Sequence, residues 1–142
     1  MVKHIKLSYL STQPEQFIKI SEDIYQVVAD GGIKDGIVVI ISNHTTTGIV
    51  INEGLACVEK DLASALDKLV PLDAPYVHAH FLPSYGATGN NSCGHIKSML
   101  VGNSCIFAIE NGQIAGGAAQ DIYLAEFDGP QRRTIRVELI GD

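Results

Sequence analysis

Residues 36–41, GIVVII, are an apolar and largely β-branched run with no polar position. A strand with one solvated face alternates, so a run without alternation predicts a strand covered on both faces and a layered fold around it. The run is far shorter than the ~20 apolar residues a membrane span needs. GIVIN at 48–52 is expected to be its pairing partner. Between the two lies NHTTT, 43–47, which places an imidazole and three hydroxyls at a strand end.

The remaining periodicities supply the rest of the layers. Ile5, Leu7 and Tyr9 alternate with His4, Lys6 and Ser8, the pattern of a half-buried strand with His4 toward solvent. Thr12 and Glu15 have capping-box spacing, and Phe17, Ile20, Ile24, Val27 and Val28 then recur at helical intervals until Asp30-Gly31-Gly32. A second amphipathic helix is predicted from Cys57 to Val70, with Val58, Leu62, Ala65, Leu66 and Leu69 on one face and Pro71 as its stop. Residues 71–94 are rich in Pro, Gly and Asn and read as a long loop, a kind of segment that often carries function. A helical turn at 95–100 leads to the strands CIFAI, QIAGG, DIYLAEF and RRTIRVELI, with Asn111-Gly112 as a hairpin signal and Gly129-Pro130 as a turn. Two main helices and many strands without a βαβ rhythm predict an α+β fold with a largely antiparallel sheet, in a single domain over 1–142.

Charge narrows the function classes. Sixteen acidic against ten basic residues give a net charge of −6, which excludes the nucleic-acid and anionic-membrane partners that need a basic surface. The start, MVKHIKLSYL, alternates instead of forming a signal-peptide core, so a cytoplasmic protein is expected. Cys57, Cys93 and Cys105 are odd in number and form no C-x-x-C pair, which predicts reduced thiols, with Cys57 and Cys105 buried.

The candidate chemistry centres on histidines. His44 follows the apolar strand, His78 and His80 have the H-x-H spacing that puts two ligands on one side of an extended segment, and His95 closes the long loop. Cys93, two residues before His95, is a softer candidate ligand. Isolated surface or core histidines give the same spacing, so the residues alone leave both readings open. Glu53 suits general-base work and equally a charge in a first helical turn. Arg132 and Arg133 are consecutive in a strand, so at most one faces a given pocket, to meet a phosphate or carboxylate, and a solvated hairpin shoulder is the plain alternative. Thr45 and Thr46 are donors for an anion or ordinary turn residues.

Taken together, NHTTTGIVINEG, GHIKSMLVGNS and AQDIYLAEFDGPQRR resemble, in this order, the YjbQ family of uncharacterised proteins. The resemblance runs from His44 to Gly141 by motif. It implies an α+β homotrimer in which His44, His78 and His95 bind a divalent metal, usually zinc. It also places Asn52, Glu53, Gln120 and one of Arg132 and Arg133 at the site. The implied activity is that of a secondary thiamine-phosphate synthase, joining a pyrimidine diphosphate to a thiazole phosphate. His80 has no counterpart in the motif. The chain departs from the family pattern at Gly117-Ala118-Ala119-Gln120, where many relatives carry Gly-Thr-Trp-Gln, and at Asn90 and Asn91, where an acid is common.

Overall fold

The alternation along Val2–Leu10 produces an edge strand, β1, paired over its whole length with β10 (Arg132–Gly141) from the opposite end of the sequence. In this computed structural model, which describes residues 1–79, 81–82, 86–87 and 90–142, β10 pairs in turn with β3 (Gly36–Ser42). Beyond β3 come β7 (Ser104–Glu110) and β8 (Gln113–Ala115), completing an antiparallel five-stranded sheet A. Sheet B has three antiparallel strands in the order β2 (Gln16–Lys19), β9 (Gln120–Glu126), β4 (Thr47–Glu53). Two short strands, β5 (Phe81–Leu82) and β6 (Gly86–Ala87), pair with each other.

The two sheets and helix α1 (Ser21–Gly31) share one core. Val38, Ile40, Phe107, Ile109, Ile135, Val137 and Leu139 come from sheet A, Ile49, Ile122 and Leu124 from sheet B, and Ile24 and Val28 from α1. Each such side chain removed from water contributes on the order of 1.5–3 kcal/mol. Gly32, at φ 69°, ends α1 in the left-handed conformation, as Asp30-Gly31-Gly32 predicted. Asn111 and Gly112, both at positive φ, form the predicted β7–β8 hairpin.

Four expectations are corrected. Residues 16–19 are not the start of a helix: they form β2, because Phe17 and Ile18 pack in a ladder against β9. Glu15 does not cap; its carboxylate pairs with Lys97. GIVIN does not pair with β3 either. The polar turn after Ser42 carries the chain from sheet A into sheet B, where β4 pairs with β9. The β3 run is covered on its inner face only, with Ile37 exposed and Val39 and Ile41 half-exposed on the other. The fourth concerns Cys57, which is exposed, while Cys93 is buried and Cys105 intermediate; all three are free thiols. The turn at 95–100 proves to be a ten-residue helix, α3 (Ser92–Val101), in addition to the expected helix, α2 (Ala56–Leu69).

Candidate functional site

His44 sits in the turn that joins the sheets. Ser42 and Thr47, the last residue of β3 and the first of β4, hydrogen-bond through their hydroxyls, and the N–H of Phe127 donates to Thr46 O at 3.0 Å. The ring of His44 lies against β10: the N–H of Thr134 donates to Nε2 at 2.9 Å, and the Thr134 hydroxyl is 3.3 Å from the same nitrogen. Nε2 is therefore an acceptor, and the neutral ring carries its proton on Nδ1. Desolvation, reinforced by the nearby Arg133, holds the His44 pKa below the ordinary histidine value despite the opposing charge of Glu126.

His95 is in the first turn of α3, its N–H donating to Asn91 O at 3.2 Å. That helix rests on β4 at Gly48, where a Cβ would meet Val101 and stand 2.7 Å from Gly102 O; the Ser98 hydroxyl donates to Thr47 O. His78 lies on a single 3-10 turn, Val77–Ala79, that packs on α3. The rings of His78 and His95 meet edge to face, with centroids 5.3 Å apart at 68°. His44 and His95 line one open depression of about 460 Å³ with Thr45, Ser98, Met99 and Asn103. His80 falls outside the described residues.

The other expected site residues separate into groups. Strand alternation turns Arg133 inward, where it is buried against Glu126: Nε donates to Oε1 at 2.8 Å and one terminal nitrogen to Oε2 at 2.5 Å. The same nitrogen donates to the hydroxyl of buried Thr46 at 2.8 Å, so neither residue presents itself to a ligand. Arg132 is exposed on the same face of β10 as Thr134, about 7 Å along the strand. Asn52, Glu53 and Gln120 lie at the far end of sheet B, where Glu53 pairs with Gln120 and Asn52 with Asp121. The seven residues of β4 put roughly 20 Å between that end and the histidine turn. Within one chain Glu53 does not reach the depression.

A second cluster, centred on Lys97, lies apart from the histidines. On the other side of α3 opens a cavity of about 540 Å³, lined by Glu15, Asp67, Asn91, Cys93, Lys97 and Asp128 among others. Lys97 is 1% exposed and its Nζ donates to Glu15 and Asp67, each at 2.5 Å. Burial alone would lower its pKa, but the two carboxylates outweigh it and raise it. Burial raises the Cys93 thiol, whose Sγ–H donates to Val70 O at 3.3 Å, so it is a poor nucleophile. Lys97 lies on the face that α3 buries, with Cys93, Gly94 and Ser98, where a cation is tolerated when it is paired.

An α+β fold of two antiparallel sheets with a histidine-lined depression at one strand end is the class of protein that fold and site define. The chain belongs to the UPF0047 protein YjbQ-like family, whose model matches residues 5–142. It is 37% identical over 138 residues to a UPF0047 protein of Methanocaldococcus jannaschii, covering 96% of this chain and 94% of that one. It is 32% identical to the UPF0047 protein YugU of Bacillus subtilis, covering 99% and 100%. Among solved structures, a YbjQ-like protein of unknown function from Sulfolobus solfataricus matches with TM-score 0.92 and 25% identity, over 100% of this chain and 99% of that one. An uncharacterized conserved protein of the YjbQ/UPF0047 family from Clostridium acetobutylicum matches with TM-score 0.86 and 37% identity, over 96% and 99%.

Proposed function

We propose that the chain is a metal-dependent enzyme acting on a phosphorylated small molecule at the His44, His78 and His95 end of the fold, with zinc as the metal, and that it works as a homotrimer. The 5.3 Å between the His78 and His95 centroids carries this reading. Two imidazoles bound to one tetrahedral zinc, with Zn–N near 2.0 Å, set their ring centres about 5 Å apart. His44 shares the depression with His95 but fits only after its ring turns, because Thr134 N–H holds Nε2 and Nδ1 carries the proton. That agrees with there being, among the described residues, no group of three or more His, Cys, Asp or Glu placed to hold a metal ion.

A divalent metal there supplies Lewis acidity toward a phosphoryl oxygen. Of the two arginines, exposed Arg132 is the one able to take a phosphate, and Thr45 is the exposed hydroxyl beside His44. Arg133 instead fixes the turn from below through Thr46. A thiamine-phosphate synthase-like transfer is the specific reaction in this reading. A second reading, a trimeric metal- or anion-binding protein without turnover, is favoured by one observation: Glu53, the candidate general base, stands a strand's length from the histidines.

The purified protein, with and without zinc, is to be assayed on a panel of phosphorylated metabolites that includes a pyrimidine diphosphate with a thiazole phosphate. Zinc-dependent turnover lost in His95→Ala supports the enzyme. Zinc or inorganic phosphate bound without turnover supports the carrier, and a protein that binds neither and turns nothing over overturns both.

A further inference from the structure

The cavity beside Lys97 offers acceptors and negative charge. Its walls hold three carboxylates, Glu15, Asp67 and Asp128, against the one ammonium of Lys97. That ammonium is already turned onto Glu15 and Asp67, so it has little left for an anion. Each carboxylate engages a neighbour through one oxygen only: Glu15 Oε1 and Asp67 Oδ1 take Lys97, and Asp128 Oδ2 takes the amides of Asn91 and Gln131. The second oxygen of each has no partner among the described residues.

Asn91 points the same way by a separate observation. Its Oδ1 is buried and accepts no hydrogen bond, and buried acceptors are almost always matched by a donor. Asn91 is the cap residue of α3, where a side-chain oxygen ordinarily takes a helix N–H, yet it makes no such bond. Turning the amide over gives no relief. It would set Oδ1 against the Asp128 carboxylate in place of the Nδ2 that donates there at 2.8 Å.

Size and spacing define the donor. About 540 Å³ is the volume of a small-molecule site, and Pro14, Leu72 and Phe127 add apolar wall to it. Among the described residues no three His, Cys, Asp or Glu are placed to hold one ion, so the acceptors are spread too widely for a bare metal. They suit a molecule whose donors are spread likewise.

We propose that this cavity binds a small aliphatic amine bearing two or more ammonium groups, one on Asn91 Oδ1 and Asp128 and another on Glu15 and Asp67. Two ammoniums balance the excess of carboxylates over Lys97, and the methylenes between them lie on Pro14, Leu72 and Phe127. The site is across α3 from the histidine depression and does not depend on the reading of that end.

The test is calorimetric titration with 1,4-diaminobutane of wild type, Glu15→Gln, Asn91→Leu and Glu110→Gln. Glu15→Gln keeps an oxygen for Lys97 while removing a charge, and exposed Glu110, at the end of β7, lies outside the cavity and serves as the control. Wild type and Glu110→Gln should each bind one diamine per chain, and the binding should persist at about 150 mM salt, where attraction to a merely acidic surface is screened. Glu15→Gln and Asn91→Leu should bind about tenfold more weakly, with unchanged circular dichroism. Should Asn91→Leu fail to fold, Glu15→Gln against Glu110→Gln decides alone. No binding by wild type, binding that salt removes, or equal affinity in all the folded proteins would overturn the proposal. So would 1-aminobutane binding as tightly as the diamine, or calcium competing with it one for one, since the cavity would then not select two ammoniums.

Discussion

Thr134 N–H donates to His44 Nε2 at 2.9 Å, so main chain of β10, and not a movable side chain, sets the ring of the strand-end histidine. Neutral His44 should therefore be the Nδ1–H tautomer in metal-free protein, and Thr134→Ala should leave it so, because the backbone donor survives. Nitrogen-15 shifts of the ring in both proteins check this. Added zinc, if His44 becomes a ligand, should turn the ring and break the Thr134 N–H bond to Nε2, which the same ring shifts report.

The depressed His44 pKa has a sign. The unfolded chain takes up this proton at a higher pH than the folded one, near 6.5, so the folded state loses stability as pH falls. His44→Gln should flatten that part of the stability profile between about pH 6.5 and the lower folded value. Urea midpoints across the range measure it, and a profile unchanged by the substitution would show that His44 is not the group responsible.

Beneath the turn, Glu126 is fully buried with Ser11 Oγ at 2.6 Å, Asp128 N at 3.1 Å and the Arg133 fork around it. Burial alone would raise its pKa, but the Arg133, Ser11 and Asp128 donors outweigh it and lower it. Its stabilisation is then present above the unfolded carboxylate value, about 4.3, and is lost as pH falls through the folded one. Arg133→Ala strands the carboxylate and should cost about 3–5 kcal/mol. Arg133→Met with Glu126→Leu should cost less than either single change, as denaturant melts would show.

Helix α2 has no buried residue and is tied down at a few points, Glu59 to Tyr123 at 2.8 Å and Asp67 to Lys97. Lys97→Met should speed amide exchange in α2 selectively, leaving β3 and β10 protected. Uniform acceleration would mean that Lys97 supports the whole fold instead.

How much of this the sequence disclosed follows the range of the forces. The β1 and β10 alternations were legible because each strand has one dry face, and Asn111-Gly112 because its turn is local. The helix start is ambiguous in sequence because Phe17, Ile20 and Ile24 satisfy a helical period while 16–19 also suit a strand, and only distant β9 decides between them. The partners of β3 are equally non-local: β10, from nearly a hundred residues away, takes one edge and β7 the other. Alternation allowed one inward arginine, yet buried Glu126 was needed to select Arg133. Glu53 was within reach of the sequence, since the residues between it and His44 are mostly strand and hold the two apart.

Gly48 is the contact on which α3 rests. Gly48→Ala places a methyl against Val101 and the Gly102 carbonyl and should cost on the order of 1–3 kcal/mol. The same shift should carry His95 out of register with His44 and weaken zinc binding, which a competition titration with a chromophoric chelator reads.

Zinc K-edge absorption on untagged protein reports most directly whether the two close imidazoles bind one cation. Wild type should show about one zinc per chain with histidine nitrogens near 2.0 Å, and both His78→Ala and His95→Ala should lose the ion or part of that nitrogen shell. Zinc without histidine scattering, or a spectrum unchanged in both variants, would contradict a metal shared by His78 and His95.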